Sequence, residues 1–479
     1  MAFEDHLHHL LSAYIAAPQW VKSSVGGVYS AIPVSWRRGA NYGQFSQRLA
    51  RRDASSLADY SRQRLGETLD WAVTTVPAFR GVASTEDCLR YPLQVLSSIP
   101  LVSKQDIKTD TSRYLSDATP VAARLKTFTG GSTAEPMMFY LQKGVTRAKE
   151  YAFMDDFHAR VGLSDKDLVL ALRGRTVRAA DIRDGKLWSY EPIKRQLILS
   201  SDHLVPEYMP QYVEAMRQWQ PRFIQAFPSA ICPLARWLAD HPEPEITGRI
   251  KGVLLYSENL YGYQMKLLRD VFDCPVLIHY GHSERALMAA SMPDDDRCFF
   301  WPQYGHVELV DELGQVITQP NVLGEIVGTS FDNRVMPFIR YRTGDMAMWS
   351  ERPGHPELPG YPVVERIEGR LQEFLLCRDG RLVSICTMGA AHFDTLASVE
   401  SMQYEQMEPG RFTLRVVTSL PLSEAVKAGI QHAVEAKTHG GCTVDVVEVP
   451  EIERTSLGKH RMLIQHLDMS EYFGAGNSR

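Results

Sequence analysis

Five short blocks of the 479-residue sequence gather residue types that can handle a charged ligand. The sharpest is Thr129-Gly-Gly-Ser-Thr-Ala-Glu-Pro136, two glycines among three hydroxyl residues ahead of a proline. Such a run can turn backbone N–H groups and hydroxyls inward around a phosphate. It is not a Walker loop, because no Gly-Lys-Ser/Thr follows, and taken alone it is as readily an ordinary surface turn. Tyr280-Gly-His-Ser-Glu284 then sets a phenol, an imidazole, a hydroxyl and a carboxylate within five residues. Arg340-Tyr-Arg-Thr-Gly-Asp345, Arg366-Ile-Glu-Gly-Arg370 and Arg454-Thr-Ser-Leu-Gly-Lys459 follow in that order. A Thr-Gly-Asp by itself is usually a turn and a lysine usually a surface residue, so the weight lies in the ordered set.

The elements that must position these blocks change character along the chain. Residues 1–124 read as a helical cap. Between Gln44 and Ala72, Leu49, Leu57, Tyr60, Leu65 and Leu69 recur at roughly helical spacing with Arg48, Arg51, Arg52 and Arg62 among them. Ser103-Lys-Gln-Asp106 opens a short helix in capping style. From about residue 125, strands alternate with helices. Asp167–Leu172, Phe223–Phe227, Gly252–Tyr256 and Pro275–Tyr280 are apolar runs of buried-strand type, with helices expected over Ser229–Asp240 and Tyr263–Phe272. Strand–helix–strand units imply right-handed crossovers and a largely parallel sheet covered on both faces. Tyr280–Glu284 would then stand at the C-terminal end of a strand, where open α/β sheets bind ligands. His306–Val310, Val316-Ile-Thr318 and Glu325–Thr329 read as hairpins of a smaller β-rich subdomain. The last hundred residues suggest a separate α+β module: strands at Met402–Glu405, Phe412–Val417 and Cys442–Val449 with a helix over Ser423–Lys437.

Composition narrows the function classes. Hydrophobic residues make up 44% and charged residues 23%, as expected of a globular chain rather than a disordered one. Lys plus Arg number 52 against 57 for Asp plus Glu, a net charge of −5, which gives no footprint for general nucleic-acid binding or an anionic membrane surface. No apolar run approaches the roughly 18–20 residues of a membrane span. Seven cysteines without a C-x-x-C pair, and an N-terminus without a basic secretory start, lead us to expect a cytoplasmic protein with free thiols.

In this order the blocks resemble those of the adenylate-forming enzymes, the superfamily of acyl-CoA ligases, peptide-synthetase adenylation domains and luciferases. Within it the chain is most similar to the phenylacetate-CoA ligase branch and its CapK-like group. Trp36-Arg-Arg-Gly39, Ile99-Pro-Leu-Val-Ser-Lys104, Gln225-Ala-Phe-Pro-Ser-Ala230 and Asp379-Gly-Arg-Leu-Val-Ser384 carry the likeness to that branch, over about residues 35–465. The resemblance implies roles residue by residue. Thr129, Gly130, Gly131, Ser132 and Thr133 would hold the ATP phosphates. Glu284 would hold Mg²⁺, a hard cation that takes carboxylate oxygen; the plain alternative is a glutamate at a helix N-terminus. Tyr280, Gly281, His282 and Ser283 would line the nucleotide and acyl site, with His282 more often filling space than exchanging protons. Asp345 would accept the ribose hydroxyls, Arg370 would reach the same sugar, and Ser257, Glu258 and Asn259 fall where the family packs adenine. Phe227 and Tyr280 could stack on adenine or on an aromatic acid, and Phe139 and Tyr140 could line the acid pocket, although buried aromatics are more often plain core. Lys459 matches the mobile catalytic lysine that neutralises charge developing at the α-phosphate. Departures stand at Gly130, where the family has Ser, at Ala134 in place of the final Gly, and at Gln372 in place of the usual hinge Asp. A lost phosphate hydroxyl would cost about 1 kcal/mol.

The expectation is therefore an α/β protein. A large adenylate-forming domain (1–370) would have parallel-type sheets and a β-rich subdomain, and a small mobile α+β domain (371–479) would carry Lys459. ATP and Mg²⁺ are the implied cofactors. A carboxylic acid, aromatic by analogy with the branch, is the implied substrate, and coenzyme A or an acyl carrier protein the implied acceptor. A homodimer is compatible with the resemblance; nucleic acid and membrane are not expected partners. The rival reading is a non-catalytic nucleotide-binding scaffold that keeps the fold.

Overall fold

The computed structural model describes residues 14, 17, 19–50, 53–129, 137–173, 177, 182, 185–201, 203–370, 373–385, 399–418, 420–452, 461–469 and 472. Gly130, Gly131, Ser132, Thr133, Gln372 and Lys459 lie outside the described residues.

The helical beginning contains α1 (Tyr42–Leu49) and α2 (Ala54–Thr75). The amphipathic stretch expected as one pattern is thus divided. Asp53 is the reason: its side chain accepts from Ser56 N–H, and an acceptor at that position starts a new helix rather than continuing an old one. Ser103 caps Lys104–Thr109 as expected, in a complete capping box with Asp106. The buried face of α2 (Leu65, Leu69, Ala72, Val73) packs on a hairpin that the sequence pattern did not show, β1 (Arg124–Phe128) and β2 (Met138–Gln142). Phe139, 0% exposed, is in this core with its ring 5.7 Å from that of Phe338, and Tyr140 packs against the same core. Phe139 thus takes the plain core role and helps to hold the helical region to the sheet, with Tyr140 partly exposed beside it.

The main sheet has twelve strands. In chain order they are β3 (Val169–Leu172), β4 (Trp188–Glu191), β5 (Gln196–Leu199), β6 (Phe223–Ala226), β7 (Gly252–Tyr256), β8 (Val276–Gly281), β9 (Met288–Met292), β10 (Asp295–Phe300), β11 (Gly305–Val310), β12 (Leu323–Ser330), β13 (Tyr341–Trp349) and β14 (Val363–Arg370). Their spatial order is β11-β12-β13-β14-β10-β9-β8-β7-β6-β3-β5-β4. The run β8-β7-β6-β3-β5 is parallel and everything outside it antiparallel. The hairpins expected as a subdomain therefore continue the main sheet. Val316-Ile-Thr318 makes only an isolated bridge to Val310, because the Asp311 carboxylate takes the N–H groups of Leu313 and Gln315 and tightens the turn.

Parallel strands buried on both faces read as continuous apolar runs, which is why these segments were recognisable. Side chains alternate along each strand. Register places Leu172, Ala226, Leu255 and Ile278 in one row, packed under the helices 209–219, 228–240 and 262–272. The opposite face carries Phe223, Leu254 and Leu277 against α3 (Thr146–Ala159), whose Phe153 and Phe157 lie one turn apart on its buried side. Each such large apolar side chain contributes roughly 1.5–3 kcal/mol on burial.

A separate small sheet follows, ordered β19-β18-β17-β20 from β17 (Val399–Glu408), β18 (Arg411–Thr418), β19 (Thr443–Glu448) and β20 (Leu463–Gln465), beside the two-stranded β15 (Phe374–Leu376) and β16 (Leu382–Ser384). One helix, Glu424–Lys437, capped by Ser423, covers it. Its core of Leu414, Val416, Ile430, Val434 and Val444 also takes in Tyr261, at the start of the helix 262–272. No helix among the described residues is long and apolar enough to cross a membrane.

Candidate active site

β8 ends at Gly281, and the chain turns back into β9 through His282–Leu287. Arg285, with φ 55°, closes that turn by donating its N–H to His282 O at 3.0 Å. The turn holds Glu284 under the sheet end at 8% exposure. The Tyr341 hydroxyl donates to its Oε1 at 2.6 Å, and His282 Nδ1 lies 3.2 Å from Oε2. Burial alone would raise this carboxyl, but the contacts from His282 and Tyr341 together outweigh it and draw it down to about 2. Glu284 is consequently an anion at neutral pH.

β13 supplies the second carboxylate. Its pairing with β12 shifts register beside Thr343-Gly344: the Thr343 hydroxyl donates to Ile326 O at 2.7 Å, and Gly344 N–H donates to Glu325 Oε1 at 3.0 Å. Gly344 has φ 77°, which a glycine adopts without strain. The irregularity aims Asp345 back across the sheet end. There Tyr280 donates its hydroxyl to Asp345 Oδ2 at 2.8 Å. Arg370 pairs with Asp345 across β13–β14 and brings its Nε to 3.6 Å from Oδ1. That distance is an ion pair without a hydrogen bond, so Oδ1 keeps its acceptor capacity. Burial, and the carboxylates beside them, hold the Tyr280 and Tyr341 phenols far above their ordinary values, so both remain donors.

A third group joins the site to the strand leading into the small sheet. Asn259 Nδ2 donates to Glu373 Oε2 at 2.6 Å, and Arg370 N–H reaches the same oxygen at 3.3 Å. Burial raises the Glu373 carboxyl, opposed by Arg370. Gly369, at φ 95°, has no room for a side chain, because a Cβ there would collide with both the Glu373 carboxylate and the Asn259 amide.

The expected residues thus divide. Tyr280, His282, Glu284, Asp345 and Arg370 come together from three segments, with Gly281 and Ser283 exposed beside them. Asn259 stands at the same edge. Glu258 has a structural task, accepting from Ser229 N–H and Oγ, both at 2.9 Å, at the start of the helix 228–240. Ser257 adopts φ 62° in the turn directly after β7. Thr129 is buried and closes the foot of its loop by accepting from Met137 N–H at 2.9 Å. Arg340, in the same block as Asp345, is committed to Glu308 at 3.1 Å and Ile99 O at 3.0 Å. Sequence reasoning gave no role to Tyr341 or Glu373, whose partners are 57 and 114 residues away.

No family model matches the chain. Among curated proteins, the CapK protein of Staphylococcus aureus is 21% identical over 346 residues, covering 71% of this chain and 74% of that one. Among solved structures, a 2-hydroxyisobutyryl-CoA ligase in its postadenylation state with 2-HIB-AMP superimposes with a TM-score of 0.65 at 16% identity, over 86% of this chain and 90% of that one. The chain has the adenylate-forming ligase fold. The same ligase in its thioesterification state gives a TM-score of 0.51, at 16% identity over 92% and 95% of the two chains. Against the adenylate-forming ligase fold, the cluster of Tyr280, Glu284, Asp345 and Arg370 lies at the C-terminal edge of the parallel strands, where open α/β sheets bind ligands.

Proposed function

We propose that this protein activates a carboxylic acid with ATP, giving an acyl-adenylate and pyrophosphate, and then hands the acyl group to a thiol. The observation that supports it best is the pairing of two differently dressed carboxylates at one sheet edge. Asp345 is aligned by Tyr280 with one oxygen still able to accept, and Glu284 is held ionised by Tyr341 and His282. The first suits a diol such as ribose, with Arg370 beside it. The second suits a cation on phosphates. No cluster of three or more His, Cys, Asp or Glu able to hold an ion occurs among the described residues. Mg²⁺ fits here as an ion that takes one or two carboxylates plus phosphate oxygens and water, with Glu284 as the protein's ligand. It would supply charge neutralisation on the phosphates.

In the first half-reaction a carboxylate oxygen of the acid attacks the α-phosphorus, the bond from that phosphorus to the bridging oxygen breaks, and pyrophosphate leaves. Thr129–Thr133 would bind the phosphates and Lys459 would offset the charge that develops. In the second, the thiolate of coenzyme A or of a carrier protein's pantetheine attacks the acyl carbon and AMP departs. ATP–pyrophosphate exchange across a panel of carboxylic acids tests the first half. Exchange dependent on one class of acid supports the reading. Nucleotide binding without exchange for any acid would replace it with a scaffold.

A further inference from the structure

Row for row, the face of the sheet that carries Phe223, Leu254 and Leu277 changes character at the strand ends. Tyr256 and His279 lie opposite each other in the β7–β8 register, and Gln225 lies one row below. His158, from the last turn of α3, faces them: Gln225 Nε2 donates to its Nε2 at 3.1 Å, and the Tyr256 hydroxyl is 3.1 Å from the same atom. The His279 and Tyr256 rings are 5.4 Å apart. Burial lowers both imidazoles, to about 3 for His158 and about 4 for His279, and each keeps some accessible surface. We call the space edged by these partly exposed rings at the strand ends the recess. His279 Nε2 is shielded and has no hydrogen-bond partner. Gly281 packs beside the same ring, since a Cβ there would stand 3.0 Å from Cε1 of His279.

The recess also contains a cation. Arg173 follows β3 and lays its guanidinium 4.7 Å from the centre of the Tyr256 ring. It is only partly exposed and forms no ion pair among the described residues. The carboxylate that acts on His279, Glu150, is already taken by the Tyr304 hydroxyl at 2.7 Å and by Arg285 at 3.7 Å. β3 is three strands from β8, but the Arg173 side chain reaches past β6 to lie over Tyr256 of β7, whose ring adjoins that of His279. Its guanidinium therefore lies close to β8, the strand that leads into the Tyr280–Glu284 turn.

We propose that the acid activated here carries a second anionic group, and that Arg173, braced on Tyr256 with His158 and His279 beside it, receives that group. The inference rests on the adenylation reading. A hydrocarbon tail would leave the guanidinium without a partner, whereas a second carboxylate supplies one.

Matched acids test it: hexanoate against hexanedioate, and benzoate against terephthalate, in ATP–pyrophosphate exchange and in calorimetric binding with AMP present. The expected result is at least a tenfold preference in kcat/KM for one diacid over its monoacid. Arg173→Met should bring that ratio close to one, mainly through KM, and Arg173→Lys should retain part of it. Preference for monoacids in both pairs, or a diacid preference that survives Arg173→Met in a folded variant, overturns the inference while leaving adenylation intact. If no acid supports exchange, the adenylation reading fails. Diacid binding that is lost in Arg173→Met would then still uphold the recess, and absence of such binding would dismiss it.

Discussion

Tyr341→Phe removes one hydroxyl and nothing else from the core, and its consequence follows from the state of Glu284. A carboxyl drawn from an ordinary 4.5 to about 2 contributes roughly 3 kcal/mol to stability at neutral pH. Because its folded value is the lower one, that contribution is complete above about pH 5 and is lost as the pH falls toward 2. His282 contributes most to the depression; the 2.6 Å bond from Tyr341, a neutral donor to a buried charge of the kind worth about 1.5–3 kcal/mol, adds to it. In the variant, Glu284 should remain ionised at pH 7.5 while the fold loses about 2 kcal/mol, seen as a drop of a few degrees in Tm. The penalty should shrink as the pH approaches the variant's own carboxyl value. Glu284→Gln supplies the control. In that background the phenol meets a neutral amide, so Tyr341→Phe should cost about 1 kcal/mol less than it does opposite the carboxylate. Thermal melting of the four proteins at pH 7.5 completes the cycle. Strict additivity, or a Tyr341→Phe protein as stable as wild type, would refute the claim that this hydroxyl holds the charge.

Glu284→Gln should raise the Mg²⁺ concentration needed for half-maximal exchange more than it changes the KM for the acid; an unchanged Mg²⁺ midpoint would make Glu284 structural. Gly369→Ala has to displace the Glu373–Asn259 bond and adopt φ 95°, which predicts about 1–3 kcal/mol of destabilisation and weaker ATP binding, measured by melting and by calorimetry. A variant indistinguishable in both would show that this junction relaxes freely. Lys459→Ala should slow adenylate formation at least about a hundredfold while sparing acyl transfer from supplied acyl-adenylate. Equal losses in both half-reactions would reassign the residue.

Much of the scaffold was legible because its signals are local. The runs at 169–172, 223–226 and 252–256 are apolar throughout since both faces are covered, and Ser103 and Ser423 mark helix starts through their own hydroxyls. The β1–β2 hairpin escaped notice because Arg124-Leu-Lys-Thr-Phe128 is only partly buried and reads as polar chain. The site divided along the same line. Tyr280, Glu284, Asp345 and Arg370 were found through ordered blocks. Tyr341 had no spacing relation to Glu284, nor Glu373 to Asn259, because the sheet alone brings them together. Phe139, an aromatic near a candidate loop, is core, as buried aromatics more often are.

Consecutive residues of β8 face two different compartments. Tyr280 turns to Asp345, and His279 turns to Tyr256 and α3. Side chains facing Asp345 and side chains facing the recess are therefore sorted by even and odd position on a single strand. Point substitutions at 279 can retune the recess while the neighbouring phenol keeps its bond. A one-residue insertion or deletion within β8, however mild in composition, would exchange the two sets at once. This strand should accept changes of side chain far more readily than changes of length.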